Sequence, residues 1–212
     1  MRKKIAAALV CFFGLTQMNA QVTVKPGIKG GVNFSKLTGF ESDFSTNFYV
    51  GAFAAIKLAK IYTLQPELLY SAQGADNVRY SDGSIFDPVA PAPKSHSVSL
   101  DYLSMSVINK FTFGGGFEAV VGPTLDFKLG DNFEWPLSDD LIGLDMGIVG
   151  GIGYSLPNGL GFEARYKQGF VDIFGGEYFD EYDYNENGNF DEIYLNQVFQ
   201  LGVSYTFDIK QK

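Results

Sequence analysis

Eight stretches of this chain alternate apolar and polar side chains with a two-residue period: 26–37, 47–58, 62–73, 98–111, 116–129, 141–154, 160–172 and 195–207. That period predicts β-strands with one apolar and one polar face. In the second stretch Phe48, Val50, Ala52, Ala54 and Ile56 share a face, with Asn47, Gly51 and Lys57 opposite. In the fifth, Phe117, Ala119, Val121, Leu125 and Phe127 oppose Glu118, Thr124, Asp126 and Lys128. In the seventh, Leu160, Phe162, Ala164 and Tyr166 oppose Glu163, Arg165 and Lys167. No helical period of 3.6 residues is sustained anywhere between them.

The connections alternate in length. Short ones at 59–61, 112–115 and 155–159 take turns with long polar ones at 38–46, 74–97, 130–140 and 173–194. Leu156-Pro157-Asn158-Gly159 carries turn chemistry. A soluble sandwich would bury its apolar faces, whereas a membrane barrel turns them to lipid, where a charge at mid-depth costs about 2–4 kcal/mol. Each stretch is near the roughly ten residues a tilted strand needs to cross the hydrocarbon. The pattern predicts an all-β, eight-stranded antiparallel up-and-down transmembrane β-barrel with short periplasmic turns, long extracellular loops and both termini periplasmic. Tyr49, Tyr62, Tyr70, Tyr102, Phe113, Tyr154, Phe170 and Phe207 fall near strand ends, where interfacial aromatic girdles belong. If Lys110 points inward, Asp101 on the same strand points to lipid, a placement suited to the outer interface.

The first residues fit that location. Met1-Arg2-Lys3-Lys4 precedes an apolar run from Ile5 to Leu15 and a small residue at Ala20, the anatomy of a secretory signal peptide. Residues 1–20 are therefore expected to be cleaved, leaving 21–212 as one barrel domain. Cys11, the sole cysteine, reads as an apolar residue of that leader, so disulfide and thiolate chemistry are absent from the remainder. The net charge of −8 becomes more negative still without Arg2, Lys3 and Lys4, which argues against nucleic acid as a partner.

Four segments resemble the outer-membrane β-barrel proteins of the porin-like family common in Bacteroidetes: Pro26-Gly27-Ile28-Lys29-Gly30-Gly31-Val32-Asn33-Phe34-Ser35, Leu64-Gln65-Pro66-Glu67-Leu68-Leu69-Tyr70, Gly161-Phe162-Glu163-Ala164-Arg165-Tyr166 and Leu201-Gly202-Val203-Ser204-Tyr205-Thr206-Phe207. The resemblance implies an outer-membrane barrel and says little about activity. Barrels of this kind often end on an aromatic residue, whereas here Asp208-Ile209-Lys210-Gln211-Lys212 follows Phe207.

Candidate chemistry falls in three places. The inward faces carry Lys57, Glu67, Lys110, Glu118, Asp126, Lys128, Asp145, Glu163, Arg165 and Lys167. Because an eight-stranded barrel holds little more than its own side chains, these predict an internal charge network, with Glu67 and Arg165 as partners, rather than a selective pore. In the last long connection, Asp183, Asn185, Asn187 and Asp191, with Gly188, follow the ligand spacing of a calcium loop. Position 12 of that pattern is Tyr194 rather than a bidentate Glu, so a weak Ca²⁺ site competes with a plain solvated acidic loop. His96, the only histidine, lies between Ser95 and Ser97 in an expected loop with no held acid beside it, which makes a catalytic role a poor reading. The expected role is a non-enzymatic scaffold in outer-membrane lipid, displaying loops 74–97 and 173–194 to a surface partner or serving envelope integrity. A narrow channel for ions or small solutes is the alternative, and an outer-surface enzyme is a third class without a credible constellation.

Overall fold

The structure, a computed structural model, describes residues 22–38, 42–80, 94–132, 143–171 and 195–208. Eight strands follow one another: β1 (Thr23–Leu37), β2 (Asp43–Lys57), β3 (Tyr62–Tyr80), β4 (Lys94–Thr112), β5 (Phe117–Asp131), β6 (Leu144–Ser155), β7 (Leu160–Gly169) and β8 (Asn196–Thr206). Each pairs antiparallel with its sequence neighbours, and β8 returns to β1 to close the barrel. Closure removes the unpaired edges that an open sheet would expose.

The short connections all lie at one end, together with the two described termini. Residues 58–61 turn back through Leu58 and Ala59 N–H donors to the Tyr62 carbonyl, at 3.1 and 3.0 Å. A 3₁₀ turn at Gly114–Gly116 joins β4 to β5. Residues 156–159 close on the Leu156 N–H donating to Leu160 at 2.7 Å, and Gly159 adopts the φ of 91° that suits glycine at such a turn. At the same end the Phe207 N–H donates to the Pro26 carbonyl at 2.8 Å, holding the last strand to the first.

The wall is inverted relative to a soluble fold. Ile28, Phe48, Val50, Leu68, Met105, Ile152 and Phe162 point outward and are exposed, while Lys29, Asn33, Gln65, Glu67, Asp126 and Arg165 are buried inside. At the short-turn rim, outward rings pair as Tyr62–Phe111, Phe117–Tyr154 and Tyr205–Phe207, with centroids 5.4, 5.0 and 5.1 Å apart. Asp101 does face outward, and the Tyr70 hydroxyl donates to it at 2.8 Å, so its charge meets a donor from the neighbouring strand.

Three expectations need correction. Tyr49 and Tyr102 are not girdle residues: each is only 2% exposed and points into the barrel. Tyr49 fits because Gly202 faces it across the lumen, and a side-chain carbon there would collide with the tyrosine hydroxyl. Secondly, the hairpin of β3 and β4 runs well beyond Gln73 and Val98 into the expected 74–97 loop, to Tyr80 and Lys94. The turn-forming Gly74 and Asp76-Asn77 are absorbed by a register shift between Ala75 and Val78, with Asn77 at φ 54°. His96 therefore pairs its backbone with Val78 instead of sitting in a loop. Thirdly, Lys57 lies on the inward row but at the exposed end of β2, so it lines the mouth rather than the interior.

Candidate functional site

The interior is organised in layers set by the two-residue period. At the centre, inward positions on β1, β3 and β7 bring Lys29, Glu67, Glu163 and Arg165 together. Lys29 Nζ donates to Glu67 at 2.9 Å and to Glu163 at 2.8 Å. Arg165 holds Glu67 in a two-pronged contact of 2.8 and 2.9 Å and reaches Glu163 at 2.9 Å. Gln65 donates to Glu67 at 2.7 Å, and the Tyr49 hydroxyl donates to Glu163 at 3.2 Å. Two cations meet two carboxylates, so the layer is neutral, and all four side chains are between 0 and 7% exposed. The planar guanidinium suits this two-pronged contact in a way that an ammonium cannot.

Toward the long-loop end lie two further groups. One is uncharged: Asn33 donates to Ser71 at 3.0 Å and accepts from Gln200 at 2.9 Å, while Asn196 donates to Gln73 at 2.5 Å. The other is ionic: Lys167 donates to Asp126, which also accepts from Thr124 at 3.2 Å, while Lys167 lies 5.9 Å from the centroid of the Tyr102 ring. Asp145 sits directly across from Asp126 in the register of β5 and β6. Farther out, Lys128 pairs with Asp131 at 2.9 Å.

The opposite end opens into a cavity of about 670 Å³ at the short-turn mouth. Its charged lining is Lys25, Lys57, Lys110, Glu118 and Asp208. Lys110 pairs with Glu118 at 3.0 Å and Lys25 with Asp208 at 2.7 Å. Inward Ile108, Val120 and Val149 form a small buried apolar cluster.

Of the interior residues expected from alternation, Glu67, Glu163 and Arg165 meet in the central layer, Asp126 and Lys167 meet above it, and Lys110 and Glu118 meet at the mouth. Lys29 was absent from that set although it bonds both central carboxylates. Its signal was readable: Gly27, Lys29, Gly31, Asn33 and Ser35 share one parity, opposite Ile28, Val32 and Phe34. The calcium-spaced Asp183, Asn185, Asn187 and Asp191 lie outside the described residues. Among the described residues, no group of three or more His, Cys, Asp or Glu side chains could hold a metal.

A closed eight-stranded barrel with an apolar outer wall, aromatic rim and ionic interior is the architecture of outer-membrane barrels. The chain belongs to the outer membrane protein beta-barrel domain family, whose profile matches residues 19–175, and it is accordingly an integral outer-membrane protein. Among solved structures it is similar to Neisserial surface protein A, at 13% identity and a TM-score of 0.46, covering 87% of this chain and 97% of that one. OprG from Pseudomonas aeruginosa matches at 10% identity and a TM-score of 0.48, covering 89% and 98%. Ail, the attachment invasion locus protein of Yersinia pestis, matches at 10% and 0.43, covering 87% and 97%. No curated protein matches the sequence.

Proposed function

We propose that this barrel is a non-conducting, non-enzymatic scaffold that holds its long loops at the cell surface, for surface interaction or envelope integrity. The observation that carries this reading is the central layer. Four charged side chains from three strands meet across the lumen and are almost wholly removed from solvent. A water-filled passage would hydrate such groups, whereas these satisfy one another. The long hairpin of β3 and β4 supports the display role. At 19 residues each, its strands exceed the roughly ten needed to span the hydrocarbon, so they carry the chain beyond the membrane. In this reading the short turns and both termini face the periplasm, and the segments between β3 and β4 and between β7 and β8 meet any surface partner.

Conductance of the refolded chain in a planar bilayer tests it. The scaffold gives no steady current. A steady current altered by Glu67→Ala or Arg165→Ala would instead establish a narrow pore.

A further inference from the structure

Near the long-connection end, the lipid-facing wall carries a cation. Lys36 shares the outward parity of Val32 and Phe34 on β1. Among the described side chains it is the only Lys or Arg that a strand turns outward. Its Nζ lies 5.2 Å from the centroid of the Phe44 ring on β2. The same outward row continues across the neighbouring strands with Gln197 on β8, in register with Lys36, and Gln168 on β7, in register with Gln197. Gln168 Oε1 accepts from the Gln197 amide at 3.1 Å and from the Tyr166 hydroxyl at 2.8 Å.

Two residues further into the wall, the row is aromatic. Phe34 pairs in register with Phe199, and Phe199 with Tyr166. Between the two rows the surface is concave: Phe34, Phe44, Tyr166, Gln197, Val198 and Phe199 line a groove of about 370 Å³. Phe44 belongs to both features. It walls the groove and holds the Lys36 ammonium over its ring, so the cation stands at the polar rim of an apolar slot.

We propose that this groove binds one anionic membrane lipid, with an acyl chain along the aromatic row and the headgroup phosphate on Lys36. The wall of an integral outer-membrane barrel meets lipid, and a groove of ring and aliphatic surface suits an acyl chain. Lys36 lies one residue before the end of β1, at the depth where a lysine on the lipid face costs little and reaches headgroups. The ring contact orients the ammonium without supplying a counter-charge, which a phosphate provides. Gln197 and Gln168 add amide groups beside it. A zwitterionic lipid would seat its chain equally well but bring a cation of its own against Lys36, so the site selects for net negative headgroups. This inference does not depend on whether the lumen conducts.

The test is native mass spectrometry of the refolded full chain, released from detergent micelles containing dimyristoyl phosphatidylglycerol or dimyristoyl phosphatidylcholine. The acyl chains are the same, so only the headgroup differs. The unsubstituted chain should retain a first phosphatidylglycerol about fivefold better than a phosphatidylcholine, the effect of one lysine near a charged membrane surface. Lys36→Gln should abolish that preference, and Phe44→Ala should lower retention of both lipids. Equal retention of the two lipids by the unsubstituted chain would overturn the site. So would an undiminished preference in Lys36→Gln, or unchanged retention of both lipids in Phe44→Ala. A dimer in place of the lipid adduct, lost in Phe44→Ala, would make the groove a contact between copies and reject the lipid. Both substitutions lie on the outer wall, away from the interior network, and circular dichroism checks that each variant folds. Should either fail to refold, the two-lipid comparison on the unsubstituted chain decides.

Discussion

Two layers of the same lumen handle buried charge differently. In the central layer, Lys29 and Arg165 face Glu67 and Glu163, and each carboxylate accepts from both cations. In the layer nearer the long loops, Asp126 and Asp145 share the single cation Lys167, and only Asp126 bonds it. The pleat builds both, since inward residues on adjacent strands come opposite one another in either case. The difference lies in which strands contribute. The central layer draws its cations from β1 and β7 around carboxylates on β3 and β7, whereas the upper one sets two carboxylates side by side on β5 and β6. Buried ion pairs repay the removal of their charges from water only when the geometry is good and the remaining hydrogen-bonding positions are filled. By that criterion the central layer balances its charges, although Arg165 Nε and Gln65 Oε1 stay without a partner, whereas the upper layer leaves Asp145 with no ion pair of its own.

Breaking the central layer should have the largest effect. Glu67→Ala leaves Lys29 and Arg165 buried against Glu163 alone, and removing one partner of a buried ionic group costs about 3–5 kcal/mol. Equilibrium urea unfolding of the refolded barrel would measure it. A loss below about 1 kcal/mol would mean that water reaches the layer, against the occluded-scaffold reading. Lys167→Met attacks the upper layer by removing its one cation while keeping much of the side-chain volume. The expected loss is smaller, roughly 2–3 kcal/mol, because Asp126 keeps its Thr124 donor. Asp145→Asn runs the other way: it should equal or exceed the native stability, by up to about 1 kcal/mol, because it removes a like charge facing Asp126. Unfolding midpoints of the three variants, measured side by side, would separate a balanced layer from an unbalanced one.

Much of this was legible in the sequence, for a physical reason. A one-residue slip would turn every side chain to the other face, so parity assigns direction wherever one face is apolar. Glu67, Asp126, Glu163, Arg165 and Lys167 could be placed inward on that basis, and the short turns could be read from Leu156-Pro157-Asn158-Gly159 and its counterparts. Lys29 was harder to read because its neighbours Gly27, Gly30 and Gly31 weaken the alternation. Tyr49 and Tyr102 misled because an aromatic near a strand end suits a membrane rim on composition alone. Only closure of the barrel brings Tyr49 against Gly202 and Tyr102 beside Lys167. The pairing of Lys29 with Glu163, 134 residues apart, was likewise not readable from local pattern. It depends on β8 closing the circle between β7 and β1.

The smallest expected effect sharpens the comparison from the wet side. Lys110 and Glu118 form an ion pair of 3.0 Å, comparable in length to the central contacts, yet they line the short-turn cavity. Glu118 also accepts from Ser155 at 2.9 Å, and solvent in an open mouth can stand in for a lost partner. Lys110→Met should therefore cost only about 1 kcal/mol in urea unfolding, because the pair, 14 and 9% exposed, borders an open cavity, and its contribution should fall as salt is raised. Glu67→Ala should respond far less to salt, since its partners are closed to ions. If Lys110→Met instead proved as costly as Glu67→Ala, the mouth would be as dry as the centre. Burial would then no longer separate these two ion pairs, and the contrast would have to come from the number of charges each layer assembles.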